Sequence, residues 1–189
     1  QASINISGTT GGGGFESHAV WNASTLTLDT ASAPGVDAGG DSVTLMTVSG
    51  TGARAVTNLV VNTGVGVGDT IEIDGPVTFS GTVTLDSQQI DFNTALSQIA
   101  APAVVLDAGA GSIGGGNASM DVVATSLTAL ATTGINLDTT VTTMTNIANT
   151  GAGAITIDEA DGVTLTSVTN TGGLITINTI AAGNVVADH

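Results

Sequence analysis

Residues 135–138 read INLD, residues 155–158 read ITID and residues 175–178 read ITIN. The phrase returns every 20 residues, and NTG recurs beside it at 149–151 and 170–172. Along a β-strand successive side chains point to opposite faces, so both apolar residues of a triplet such as Ile155-Thr156-Ile157 share one face and Thr takes the other. A triplet is too short to hold a sheet alone. Stacked on its equivalent from the previous turn, it becomes one rung of a parallel sheet. Asp or Asn after the triplet, then Gly, supplies the corner chemistry. The same phrase stands upstream as LTLD at 26–29, IEID at 71–74, VTLD at 83–86 and VVLD at 104–107, with a further NTG at 62–64. Val83 to Val104 is one turn. Val104 to Ile135 is one turn plus the Gly-rich segment 109–117, and Leu26 to Ile71 holds two turns. The short step from IEID to VTLD fits no single register and places the two on different faces.

The fold predicted is all-β: a single-stranded parallel β-solenoid of about 20 residues per turn, with little or no α-helix. Parallel crossovers are overwhelmingly right-handed, so the coil is expected to be right-handed. About eight turns at roughly 4.8 Å each give a rod of about 40 Å. A sandwich or jelly roll also has many short strands, but neither requires this period. Segment 95–103 (ALSQIAAPA) carries Pro102 and is too short for a helix, so it reads as strand and corner.

Composition narrows the function. Hydrophobic residues make up 41%, enough for a core, whereas charged residues are only 9%. The polar surface must therefore come from Thr, Ser, Asn and Gly, which suit strands and turns. Sixteen acidic residues face one basic residue, Arg54, for a net charge of −15. Nothing here neutralises phosphates, so nucleic acid and anionic membrane surfaces are excluded as partners. No run of apolar residues is long enough for a transmembrane helix, so membrane insertion is not expected. With no cysteine, disulfides and thiolate metal sites are ruled out. Gln1 in place of Met fits either removal of a leader or excision from a longer chain. Sequons begin at Asn5, Asn22 and Asn117.

Two segments organise the chain. Residues 1–14 hold a candidate strand, Ser3-Ile4-Asn5-Ile6-Ser7, and a hinge at Gly11–Gly14. Residues 15–189 are the solenoid domain. At its far end Ile175, Ile177, Ile180, Val185 and Val186 run on with only Asp188 as a charge and no capping helix. Solenoid ends are unpaired strand edges that proteins normally cover. Ser3–Ser7 and the Val185-Val186 end are therefore the candidate assembly residues. The expectation is head-to-tail self-association, with the N-terminal strand exchanged into a neighbour.

The repeats VTLTSVTNTGGLITINT and, at 68–86, GDTIEIDGPVTFSGTVTLD resemble those of very large secreted bacterial repeat proteins. These are the filamentous-haemagglutinin-type adhesins and autotransporter-like passengers. The resemblance covers most of residues 22–180 and rests on composition and period. It implies β-helical stalks and surface adhesion, with surface glycans among the partners, and it carries over no functional residue.

Candidate sites are few. Asp29, Asp74, Asp86, Asp107, Asp138 and Asp158 each follow a triplet, with Asn178 in the equivalent place. Asp and Asn in such a column cap corners by binding nearby N–H groups. Alternatively Asp138, Asp158 and Asp161, beside Glu159, form a Ca²⁺ site of oxygen ligands. Asp158–Asp161 also invites comparison with a glycosidase carboxylate pair. The absence of Lys and Tyr argues against polysaccharide chemistry, so no catalytic residue is assigned. The T-x-T pairs Thr25/Thr27, Thr82/Thr84 and Thr164/Thr166 suggest an ice-ordering ladder, although Thr is a common outward strand residue in any case. Gly11–Gly14 and Gly114–Gly116 lack the Lys and the following helix of a phosphate loop. His18, beside Phe15 and Trp21, belongs to an end cap. The expected role is a non-catalytic structural unit of an extracellular or cell-surface fibre, matrix or adhesin stalk. The alternatives are a binding module for carbohydrate, Ca²⁺ or ice, and then a polysaccharide-active enzyme.

Overall fold

A computed structural model describes residues 6–7, 18–22, 24–31, 40–50, 56–64, 66–115, 119–181 and 183–188. No helix occurs among them. Two strands come first, β1 (Ile6–Ser7) and β2 (His18–Asn22). The first coil is β3 (Thr25–Asp29), β4 (Ser42–Leu45) and β5 (Val48–Ser49), one strand on each of three faces. The second is β6 (Asn58–Asn62), β7 (Thr70–Ile73) and β8 (Pro76–Thr78). β9 (Thr82–Asp86) and β10 (Gln89–Phe92) open the third. β11 (Gln98–Asp107) closes the third coil and starts the fourth. Then come β12 (Ser112–Gly114), β13 (Val122–Ala131) and β14 (Gly134–Asn149), the last long enough to bend around two corners. β15 (Ile155–Glu159) and β16 (Val163–Leu165) lead to the final coil, β17 (Val168–Asn170), β18 (Ile175–Thr179) and β19 (Val185–Ala187).

All stacking between coils is parallel. The first face runs β3–β6–β9–β11–β13–β14–β17. The second runs β4–β7–β10–β12–β14–β15–β18. The third runs β5–β8–β11–β13–β14–β16–β19. The protein is thus a parallel β-solenoid of about six turns. At strand spacing that is a column of about 30 Å, shorter than the eight turns expected. The early turns are longer than 20 residues: Leu26 sits beneath Leu59, and Val43 beneath Ile71.

The predicted stack is present. Ile135, Ile155 and Ile175 are successive partners on the second face. Two sequence expectations are corrected. LTLD, VTLD and VVLD stack on the first face, whereas IEID, INLD, ITID and ITIN belong to the second. The intervals from Leu26 to Ile71 and from Val104 to Ile135 therefore cross from one face to another and do not count whole turns. The misfit between IEID and VTLD has that cause, as the sequence suggested. Each turn contains two near-identical phrases, because both faces demand the same alternation.

The core is a narrow column. Leu26, Leu59, Val83, Val104 and Leu127 fill it from the first face, and Ile71, Ile90, Ile113 and Ile135 from the second. Val77, Ile99 and Val122 fill it from the third. Pro102 lies mid-strand in β11 without breaking it. It stands at a corner between two registers, exposed, where no ladder donor is needed. Corners also constrain size. A Cβ on Gly75 would run into the Met46 carbonyl oxygen of the coil below. Gly64, at φ +93°, takes the left-handed conformation that completes the NTG corner.

The two ends differ. β1 pairs antiparallel with β4, Ile6 opposite Leu45, and β2 pairs antiparallel with β3, Trp21 opposite Leu26. The first coil is therefore covered on two faces by strands of its own chain. β17, β18 and β19 each pair on one side, to β14, β15 and β16.

Candidate functional site

The acidic column resolves into two. On the first face Asp29, Asn62, Asp86 and Asp107 are successive partners. These are corner caps: Asp29 accepts from the Ala31 N–H at 3.1 Å, Asn62 from Gly64 at 2.9 Å and Asp107 from Gly109 at 2.9 Å. The asparagines of the later NTG phrases act similarly. Asn149 donates to the Gly151 and Gly153 carbonyls and to Asn170 Oδ1, at 3.1, 2.8 and 3.0 Å. Burial, and then the neighbouring Asp107 charge, raise the Asp86 pKa above its ordinary value.

On the second face Asp138, Asp158 and Asn178 form one column, as expected. Asn178 Nδ2 donates to Asp158 Oδ1 at 2.8 Å. Burial, then the charge of Asp158, raise the Asp138 pKa. Asp74 follows β7 on the second face, in the register of Asp138 but three coils below it. Among the described residues no three His, Asp or Glu side chains converge as a metal site requires, so Asp138, Asp158 and Asp161 are not gathered into one ligand set.

Sequence reasoning missed a different set of carboxylates, those buried beside the corners. Glu159, which the sequence places beside the candidate Ca²⁺ ligands, is fully buried. Its Oε2 accepts from Thr139 Oγ1 at 2.7 Å, and its two oxygens accept from the Val141 N–H at 3.1 and 3.2 Å. Val141 lies where β14 turns onto the third face before β16 begins, so the side chain stands in for a missing rung. Burial dominates over these bonds and raises the Glu159 pKa. Asp69 and Asp121 are buried too. Asp69 accepts from the Asp41 and Gly66 N–H groups at 2.8 and 2.6 Å, and Asp121 from the Asp138 N–H at 3.0 Å. A signal existed: Asp69 and Asp121 each stand just before a strand, at the start of a new face.

The charges are segregated. Apart from Asp188, and from Asp29, Asp86 and Asp107 at the ends of first-face strands, every described acidic residue lies on the second face or at a corner flanking it. Glu72 and Asp91 are paired rung to rung there, each hydrogen-bonded, to Thr44 at 3.1 Å and to Gln89 at 2.7 Å. The third face carries an open groove of about 760 Å³ along Thr78, Ala100, Pro102, Val123, Thr140 and Thr142, with Asp161 at its margin. Thr25, Thr27, Thr82 and Thr84 do face outward on the first face, but Asn58 and Val60 lie between them, and Thr164 belongs to the third. The Thr pairs thus form no continuous ladder.

Of the assembly residues, Ile6 and Ser7 lie on the chain's own β4, whereas Ser3, Ile4 and Asn5 fall outside the described residues, as does the hinge at Gly11–Gly14. His18 sits in β2 opposite Asp29. Val185 and Val186 are 43% and 53% exposed, and Leu174, Ile175 and Ile180 join them at the same end. Compared with known protein families, curated proteins and solved structures, this chain matches none.

Proposed function

We propose that this chain is a non-catalytic structural unit of an extracellular fibre, matrix or adhesin stalk, of the kind its repeats resemble. The observation that carries the reading is the union of an unbroken apolar column with segregated charge. A column in which each rung is buried by the next resists bending and can be lengthened by adding rungs. Among the described residues the carboxylates stand on the second face, at its corners and at the ends of first-face strands. This leaves the third face uncharged apart from Asp188 at its end and Asp161 at the margin of the groove. That face, with its shallow groove of Thr hydroxyls, Pro102 and Val123, is the adhesive side and suits neutral surface glycans. The acidic side keeps rods dispersed, an effect that salt weakens.

A direct test is retention of the labelled chain on glycan-coated surfaces, alongside a polysaccharide hydrolysis screen. Ala100→Glu with Thr140→Glu should abolish retention, and Asp91→Asn should leave it unchanged. Release of sugar from any polysaccharide would replace this reading with an enzymatic one. The second reading, a Ca²⁺-binding module, finds support only in the stacked Asp138 and Asp158, and a rise in melting temperature with millimolar Ca²⁺ would favour it.

A further inference from the structure

We propose that Asp161-Gly162 is a site of spontaneous self-modification, at which the main chain closes on the Asp161 carboxyl to a succinimide and reopens as isoaspartate. This chemistry is independent of the adhesive reading. Asp-Gly occurs twice in the sequence, at 74–75 and 161–162, and Asn-Gly does not occur. Ring closure favours a glycine after the acid, because a Cβ there hinders the attacking nitrogen. It also needs a peptide plane free to turn, and a carboxyl that carries a proton, since a carboxylate is a poor electrophile. The corner at Asp161 supplies all of these.

The plane is free: among the described residues neither the Asp161 carbonyl nor the Gly162 N–H has a hydrogen-bond partner. The corner has slack as well. Thr139 pairs with Glu159 and Thr143 with Thr164, so residues 160–163 span what residues 140–142 span on the coil below. The extra residue leaves Asp161 and Gly162 exposed. The next coil is in place here, since Gly183 passes over the Asp161 carbonyl and Asn184 accepts from the Val163 N–H. Glu159 supplies the proton. Its carboxyl and that of Asp161 are hydrogen-bonded to each other, which requires one of them to be protonated. Burial raises the Glu159 pKa and so holds that proton above the usual carboxylate range. The strands packed against Glu159 present Thr139, Val141 and Thr179 and, among the described residues, no further charge. Asp74-Gly75 is clamped instead. The Asp74 N–H donates to the Leu45 carbonyl, and its own carbonyl accepts from Thr94 Oγ1 at 3.1 Å. Gly75 is buried against the Met46 carbonyl.

The steps balance. The Gly162 nitrogen attacks Asp161 Cγ, a C–N bond forms and the C–OH bond breaks. The water released takes the carboxyl oxygen, the shared proton and the Gly162 amide proton, and Glu159 is left ionised. Water then adds to an imide carbonyl. Opening at the side-chain carbonyl restores aspartate. Opening at the main-chain carbonyl gives isoaspartate, which lengthens the backbone by one methylene at the margin of the third-face groove.

The test is storage of the whole folded chain in warm buffer at mildly acidic and at neutral pH. Intact mass reads the loss of one water, and hydroxylamine cleaves the succinimide into residues 1–161 and 162–189. An isoaspartyl methyltransferase reads the isoaspartate. Modification should concentrate at Asp161. Asp74-Gly75 should react at least about tenfold more slowly, because a clamping hydrogen bond must break first. The two sites should become equal when the chain is unfolded in urea. Gly162→Ala should slow the reaction several-fold, and Asp161→Glu, which cannot close a five-membered ring, should abolish it. Glu159→Gln separates the proton from the packing, since the amide keeps a hydrogen bond to Asp161. Its rate should fall as pH rises toward neutral, while that of the native chain holds. Matching pH profiles for the two would overturn the part given to Glu159. Equal rates at the two Asp-Gly sites of the folded chain, or no reaction at Asp161, would overturn the proposal.

Discussion

Ile155 and Ile175 hold the same place in the same phrase on the same column, yet one is fully buried and the other is 46% exposed. Nothing in the local sequence distinguishes them, since ITID and ITIN differ at one atom group. The difference is that Ile155 has a rung on both sides and Ile175 on one. In a solenoid the repeat does not own its core; the core forms between repeats. The first coil solves the same problem with its own strands, β1 and β2. Burial and acid titration should therefore change together between β15 and β18.

The largest expected effect is in the core. Ile155→Ala removes a fully buried side chain between two rungs and should cost about 2–5 kcal/mol in chemical denaturation. Ile175→Ala should cost under about 1 kcal/mol in the monomer, since half its surface is already wet. Equal costs for the two, measured on dilute protein, would remove the distinction between inner and final rungs.

Next comes the carboxylate that distinguishes β15 from β18. Glu159→Leu strands the Val141 N–H and the Thr139 hydroxyl, at about 1–3 kcal/mol for each group left unpaired. The pH dependence has a defined sign. An acid whose pKa is higher folded than unfolded holds more protons in the folded state between the two values. Its stability is fully present below the unfolded value and is lost as pH rises through the raised folded value. Burial places Glu159, Asp138 and Asp86 in this class. The melting temperature should accordingly rise as pH falls from neutral toward the ordinary carboxylate range, and Glu159→Gln should flatten that slope. A melting temperature that falls over the same interval would contradict the burial of Glu159.

The smallest effect is in the column itself. Asp138→Asn copies on an inner rung what Asn178 does on the last, relieving repulsion from Asp158. It should stabilise by less than about 1 kcal/mol, and the gain should shrink in salt. A loss of stability would show that Asp138 holds a partner, such as a cation, that an amide cannot.

Much of this was legible because period two and a 20-residue return leave few alternatives. The stack of Ile135, Ile155 and Ile175 and the column of Asp138, Asp158 and Asn178 follow from spacing alone. The number of faces was harder, because first-face LTLD and second-face IEID obey the same alternation and look like one series. The site residues failed for a different reason. Glu159 reads as one of a run of surface acids, and only the missing rung opposite Val141 draws it inward. Segregated charge is invisible until each Asp is assigned to a face. The cover on the first coil depends on antiparallel pairs, Ile6 with Leu45 and Trp21 with Leu26, that no repeat announces.

The central claim is the three-faced register, and disulfide cross-linking tests it most directly. Val60 and Thr84 are neighbours on adjacent parallel strands of the first face. At strand spacing their Cα separation is about 4.8 Å, within disulfide range. Glu72, on the second face, pairs with Asp91 and is not beside Thr84. The double variant Val60→Cys/Thr84→Cys should close its disulfide under mild oxidation with an unchanged β signal, and Glu72→Cys/Thr84→Cys should stay reduced. Closure of the second pair in place of the first would put IEID and VTLD in one column and contradict the fold described.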